Sequence, residues 1–449
     1  MPSIGLAEQQ DVYLSSFALV EHELGGCGTP WLHELRQEAI ERFAELGFPS
    51  THLEEWKQTN VAPLAKIPFR LAEDGHAGVA PEALERVTFR DSFCSRLAFV
   101  NGHFSPELSH LSGLPQGVKV ASLRTAFAQD EKALEEHLAR YAPFDRQAFV
   151  ALNTAFMQDG AFVEVPRGTV FQTPIHLLYL STAGDQPTVS HPRNLILVGP
   201  HSQVSLIESY FGLDSSVYLT NAVTEIAVAD NSQLDHYKLQ QESEQAFHIS
   251  TLQVRLASTS RFRSHSISLG GALVRNNIRP VLDAEGAECT LNGLYQVANR
   301  QHVDNHTTLD HAKPHGTSRE LYKGILSGQA TAVFNGRIIV RKDAQKTDAI
   351  QRNKNLLLSE NAVIDTKPQL EIYANDVRCT HGATIGQLDQ EAMFYLRSRG
   401  IGEQAARHLL IAAFATEIVD GIKIEAVRDW LKATMTARLF TNGKGQEEL

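Results

Sequence analysis

The spacing of apolar residues changes twice along this chain, and each change predicts a different kind of structure. From Trp31 to Gly47, Leu32, Leu35, Ala39, Phe43 and Leu46 recur at helical spacing on one face, and Gly47 marks the stop. Lys132 to Tyr141 repeats the pattern more briefly, with Leu134 and Leu138 inward. Between them, Leu97 to Phe104 reads as a strand running into the tight turn Asn101-Gly102. From about Phe149 to about Ile385 helical periodicity fades and short alternating strands dominate. A turn, a small or polar residue and then a strand recur near Ser202, Ser232, Ser260, Gly286, Gln329 and Asn361. Most of these offsets are roughly 26–33 residues, with one longer gap, which fits stacked coils that each bury a face against the next. A β-sandwich would also give many short strands with turn signals.

Helical spacing then returns. Glu391 to Arg397 reads as a short helix ending near Gly400. Glu403 to Val419 carries Ala406, Leu409, Leu410, Ala413, Phe414 and Ile418 on one apolar stripe, and Glu425 to Ala437 is a third helix. The polar stretch Asn442 to Leu449 is expected to fray. The predicted units are a mixed helical region over 1–148, a mainly β core over 149–387 and a helical domain over 388–449.

Composition narrows the function classes. The 449 residues suffice for a large core, with 43% hydrophobic and 21% charged residues. A net charge of -11 argues against nucleic acid or an anionic membrane as the main partner. No apolar run approaches the ~18 residues of a membrane span. Met1 to Gln10 has neither a basic nor an apolar region of the kind a signal peptide carries. Cys27, Cys94, Cys289 and Cys379 are isolated, with no C-x-x-C pair, so a reducing cytoplasm is the simplest setting.

The sharpest local chemistry is Cys379-Thr380-His381-Gly382, at the end of an alternating run. On a strand, residues i and i+2 share a face, with Cα atoms roughly 6.6 Å apart. A thiol and an imidazole so placed form a soft ligand pair suited to iron, although a free cysteine is also often a small buried hydrophobe. Two ligands do not fill a tetrahedral site, so any cluster here would need ligands from another subunit. The segment His302 to His315 holds four histidines and two aspartates, but no H-E-x-x-H, and reads as hydrogen-bonded strand and loop residues. The amide-rich segment Thr347 to Leu358 suits ladders between stacked coils. Gly443-Lys444 lacks a phosphate-binding frame, no G-x-G-x-x-G opens a helix and no G-x-S-x-G is present, so no nucleotide site or hydrolase triad is predicted.

Several longer blocks point one way. Glu54-Glu55-Trp56-Lys57-Gln58-Thr59 follows Gly47-Phe48-Pro49. Phe149 to Phe156 leads to Asp159-Gly160 and Val165-Pro166. Leu356 to Tyr373, Cys379 to Gly386 and Phe394 to Gly400 follow in order. Together they resemble the SufB/SufD family of iron–sulfur cluster assembly proteins over nearly the whole chain. Modest length and isolated cysteines favour the SufD side of that family, with a SufB-like scaffold paralogue as the alternative. The resemblance implies a right-handed parallel β-helix core flanked by N-terminal and C-terminal helical regions. It implies pairing of that core with SufB, and binding of a SufC ATPase by the C-terminal helices. Self-pairing of the chain when SufB is absent is left open. It also implies a non-enzymatic subunit with a transient iron–sulfur cluster at the SufB interface. The family's interface histidine falls on His381, and its block cysteine on Cys379. Thr380 stands where the family usually has serine, and Asn375 where it often has aspartate before Asp376. The rival class is a β-helical carbohydrate-active enzyme, which usually is secreted and lines an external groove with acids. A third reading is a structural β-helix with Cys379 and His381 buried and inert.

Overall fold

The computed structural model describes residues 13–17, 29–73, 79, 84, 87, 89, 94–182 and 186–442. The readings at Met1 to Gln10, at Cys27 and at Gly443-Lys444 lie outside these residues. The chain winds into a β-solenoid of about seven turns. Successive strands alternate between an 11-stranded and a 10-stranded sheet, and the coils stack in parallel. In one sheet a single register position passes from Gln203 to Gln233, Arg261, Glu288, Thr317, Asp348 and Arg378. In the other it passes from Leu219 to Phe247, Leu273, His302, Thr331 and Val363.

Alternation along each strand sends one set of side chains inward, and the inward sets merge into a single apolar core including Val204, Leu234, Phe262, Cys289, Phe334 and Ala349. A left-handed residue turns each corner before one of the two sheets: Gly168, His201, Asn231, Thr259, Gly286, His315 and Lys346, with φ between 51° and 76°. The next residue enters the coil interior, which is why it is small. Ser202 and Ser232 are buried there and donate to carbonyls of the preceding coil, Ser202 Oγ to Pro166 at 2.8 Å and Ser232 Oγ to Gly199 at 2.7 Å.

The longer gap in the sequence repeat now has a cause. Ser202, Ser232, Ser260 and Gly286 precede strands of one sheet, whereas Gln329 and Asn361 precede Thr331–Val340 and Val363–Ile372 of the other. The skipped corner is His315-Gly316, before Thr317–Leu326. The strand expected over Leu97 to Phe104 is present as Ser95–Val100, the Asn101-Gly102 turn and His103–His110, whereas Ala148–Phe156, at the start of the stretch expected to be short strands, is a helix. All of Phe149 to Phe156 is buried, so that run is apolar on every side and its period is unreadable.

The helix Pro30–Leu46 begins on Pro30, ends at Gly47 and buries Ile40 and Phe43 in a cluster that also holds Leu152 and Phe156. The C-terminal helices Glu403–Val419 and Glu425–Asn442 lie on the outer face of one sheet, where Ile411, Ile418 and Leu431 cluster with Leu239, Ile267, Leu294 and Ile325. Each such aliphatic side chain, fully buried, contributes ~1.5–3 kcal/mol. The buried stripe differs from the one the spacing predicted: Leu409 and Ala413 face solvent, while Ala406, Ile411, Ala415 and Ile418 face the sheet.

The two ends of the solenoid are finished differently. At the first, Ser95–Val100 turns through Asn101 and Gly102, both at positive φ, into the antiparallel edge strand His103–His110, which carries Pro106. In the other sheet Lys119–Ser122 pairs antiparallel with Ala161–Val165. These elements close the first coil. At the last coil, Val363–Ile372 and Arg378–Gly386 each pair on one side only, and among the described residues no strand covers the other.

Candidate functional site

The open edge is where the Cys-x-His pair lies. Arg378–Gly386 is the last strand of its sheet, in register with Asp348–Leu357. Cys379 stands one coil above Ala349 and His381 one coil above Gln351, so both continue the inward-facing columns of the interior. With no coil above them among the described residues, the pair ends up at the surface: Cys379 is half-buried against the interior core and His381 is exposed. Burial pushes the Cys379 thiol above its usual range, assisted by the nearby Asp348 carboxylate and opposed by the Ala349 backbone. It is therefore a protonated thiol at neutral pH until a metal or cationic partner draws the proton away. The exposed aromatic and aliphatic residues Ile372, Tyr373 and Ile385 rim the same end.

Beneath His381 the column is polar. Gln351 is fully buried, and its Nε2 donates to Glu320 Oε2 at 2.7 Å. Glu320 sits beneath Gln351 in the ladder, and burial pushes its carboxyl up to about 7, with Thr307 and Gln351 restraining the rise. Deeper in, a self-neutralising set of charges fills the core. His236 Nε2 lies 3.0 Å from Glu208 Oε2, and the Glu208 carboxyl is held at about 2: burial opposes ionisation, but His236 and Lys238 outweigh it. Burial lowers Lys238 to about 8 despite Glu208 and Glu242, and its ammonium donates to Asn276 Oδ1 at 2.7 Å.

The other motifs have structural partners. The Glu54-Glu55-Trp56 turn lies across the outer face of the second sheet. Trp56 stacks 3.8 Å from the Arg275 guanidinium, Glu55 approaches Arg279 and Arg337, and Glu54 pairs with Lys367 of the last coil. The histidine-rich strand serves the same strap. Thr59 Oγ1 donates to Asp304 Oδ2, whose carboxyl Arg275 and His306 hold well below the usual range against burial, and His302 contacts Thr59. His311 turns inward to Ser318, and His315 occupies a left-handed corner. Among the described residues no group of three or more His, Cys, Asp or Glu is placed to hold a metal. In the amide-rich segment, Asn355 accepts from Tyr295 two coils away at 2.5 Å and donates to Asn353 at 2.6 Å.

Two features escaped the sequence reading. Gln351 and Glu320 lie one and two coils before His381, and the repeat period would have pointed to them had the skipped corner been recognised. The helix Gln390–Ser398 buries no residue, with Phe394 74% and Tyr395 57% exposed; Leu409, on the next helix, is 51% exposed. Apolar groups so displayed make these helices a candidate contact surface.

Comparison with known proteins agrees with this architecture. Residues 179–414 match the model described as SUF system FeS cluster assembly, SufBD core domain, and residues 7–177 match the SufBD protein N-terminal region. The iron–sulfur cluster assembly SufBD family protein of Synechocystis sp. is 37% identical over 411 residues, covering 90% of each chain. The iron–sulfur cluster assembly protein SufD of Escherichia coli is 32% identical, covering 90% of this chain and 92% of that one. Its namesake from Bacillus subtilis is 25% identical across 95% and 97%. A solenoid flanked by helices, the two family matches and these full-length similarities together place the chain in the SufBD family of iron–sulfur cluster assembly proteins, with a SufD-like sequence.

Proposed function

We propose that this chain is a non-enzymatic scaffold subunit that builds an iron–sulfur cluster jointly with SufB. The observation that carries this reading is the unfinished last coil, which exposes His381 at an unpaired strand edge and keeps Cys379 beside it. Open strand edges and half-covered core residues such as Leu370 and Cys379 invite a second sheet end. SufB supplies that end and the remaining ligands. The cluster is transient cargo, His381 offers it a neutral imidazole nitrogen, and Cys379 is a secondary ligand. When SufB is absent the same edge allows self-pairing. The C-terminal helices receive the SufC ATPase through Phe394, Tyr395 and Leu409, and nucleotide hydrolysis occurs there rather than on this chain. A reducing cytoplasm is the natural setting.

The test is co-expression with SufB and SufC, anaerobic purification and spectroscopy of the complex. His381→Ala is expected to leave the three-subunit complex intact and to abolish its cluster. A normally loaded complex would remove His381 from the mechanism. Truncation before Glu403 is a poor probe of SufC binding, because it would uncover Leu239, Ile267, Leu294 and Ile325. Replacing Phe394 and Tyr395 with alanine leaves that core covered and is expected to release SufC in a pull-down; retained SufC would refute the assignment.

A further inference from the structure

Gln351 is a buried amide whose carbonyl oxygen goes unused. Nε2 is committed to Glu320 Oε2, whereas Oε1 has no hydrogen-bond partner among the described residues. Glu320 only accepts when ionised, and when protonated its carbonyl oxygen still accepts, so the amide sits with its NH2 group toward the carboxyl, as the Nε2 contact shows, and its carbonyl faces elsewhere. A buried, unsatisfied amide oxygen costs ~1–3 kcal/mol, so its persistence calls for a reason. The fold also reserves space for this amide. Gly336 faces it from the opposite sheet, and a Cβ there would lie 2.3 Å from Gln351 Nε2 and 2.8 Å from its Cδ. The backbone at Gly336 is not left-handed, so the absent side chain serves clearance rather than conformation. Directly above Gln351 in register is His381, and neighbouring strands are only ~4.8 Å apart.

We propose that Gln351 is the positioning residue of His381: its free carbonyl oxygen accepts a ring N–H from His381 once a partner covers the open end. The hydrogen bond fixes the imidazole tautomer and leaves the other ring nitrogen, with its lone pair, turned to the interface. The column Glu320–Gln351–His381 then acts as an outer support for a metal-binding imidazole, with an amide inserted between carboxylate and ring. This inference rests on the proposed role of His381 in cluster assembly.

The test uses the complex with SufB and SufC, with [15N]histidine in this chain alone and magic-angle-spinning NMR. The His381 signal is identified by its loss in His381→Ala. A single neutral tautomer is expected for the parent, and the averaged shifts of a freely solvated ring would overturn the proposal without recourse to any further variant. Gln351→Met, similar in length but without an acceptor, is expected to mix the tautomers and lower cluster content ~10-fold or more, with the complex intact. Gln351→Glu restores an acceptor oxygen and is expected to recover much of the loss. Parent-like cluster content in Gln351→Met, alongside a dead His381→Ala, would refute the role of Gln351 and leave the scaffold reading standing. Normal assembly by His381→Ala would instead end the scaffold assignment of His381, and this inference with it.

Discussion

Glu320→Gln is expected to stabilise the protein above about pH 4.5, with the full gain reached once the pH passes 7. Glu320 is fully enclosed between coils, and burial lifts its carboxyl from an ordinary 4.5 to about 7. The folded chain therefore holds this proton more tightly than the unfolded chain does. Folding takes up a proton between about pH 4.5 and 7, so stability from this group is complete below 4.5 and is lost as pH climbs through 7. Each pKa unit corresponds to about 1.36 kcal/mol, which puts the cost of the ionised form above pH 7 at about 3 kcal/mol. Glutamine keeps the shape, still accepts from Gln351 Nε2 and cannot ionise, and its NH2 group can donate to the nearby Thr307 hydroxyl. The variant should match the parent near pH 4, melt progressively higher from about pH 4.5 to 7 and hold a constant advantage from there to pH 9. Differential thermal melting across that range, with hydrogen exchange at Gln351 and Asn353 as the local readout, decides the matter. A flat difference, or one that grows toward acid pH, would show that Glu320 is not held neutral by its surroundings.

Three further outcomes are expected. Glu225 accepts from the backbone of Ala139, Tyr141 and Ala142 and from buried Arg193, so Glu225→Ala should cost ~3–5 kcal/mol and strip exchange protection from those three amides; unchanged protection would contradict it. Thr259 is a β-branched residue held at φ 51°, and Thr259→Asn should raise stability by ~0.5–1 kcal/mol despite losing a surface hydrogen bond; a lower unfolding midpoint would show that the bond to Asn231 outweighs the backbone strain. Cys379, half-buried with a raised pKa, should be alkylated at pH 7.5 more slowly than a free thiol but faster than buried Cys94 and Cys289; peptide mapping with equal rates at all three would refute the placement of the last coil.

Local order was largely legible in the amino-acid order. Strand alternation, the Asn101-Gly102 turn, the helix over Glu403–Val419 and the small residue after each corner depend on neighbours a few positions away, so a pattern along the chain records them. The Cys379–His381 pair was legible too, because period-two geometry puts both on one face of a single strand. The helix Ala148–Phe156 was not, since burial on all sides erased its period, and neither was the choice of Ile411 over Leu409 as the face that meets the sheet. Above all, what lies beneath and above a residue in a solenoid is set by coil length, and corners vary in length without changing the strands. Only the folded stack decided that His381 has Gln351 and Glu320 under it and, among the described residues, no strand over it, and that difference between the two ends turns a strand motif into an unfinished site.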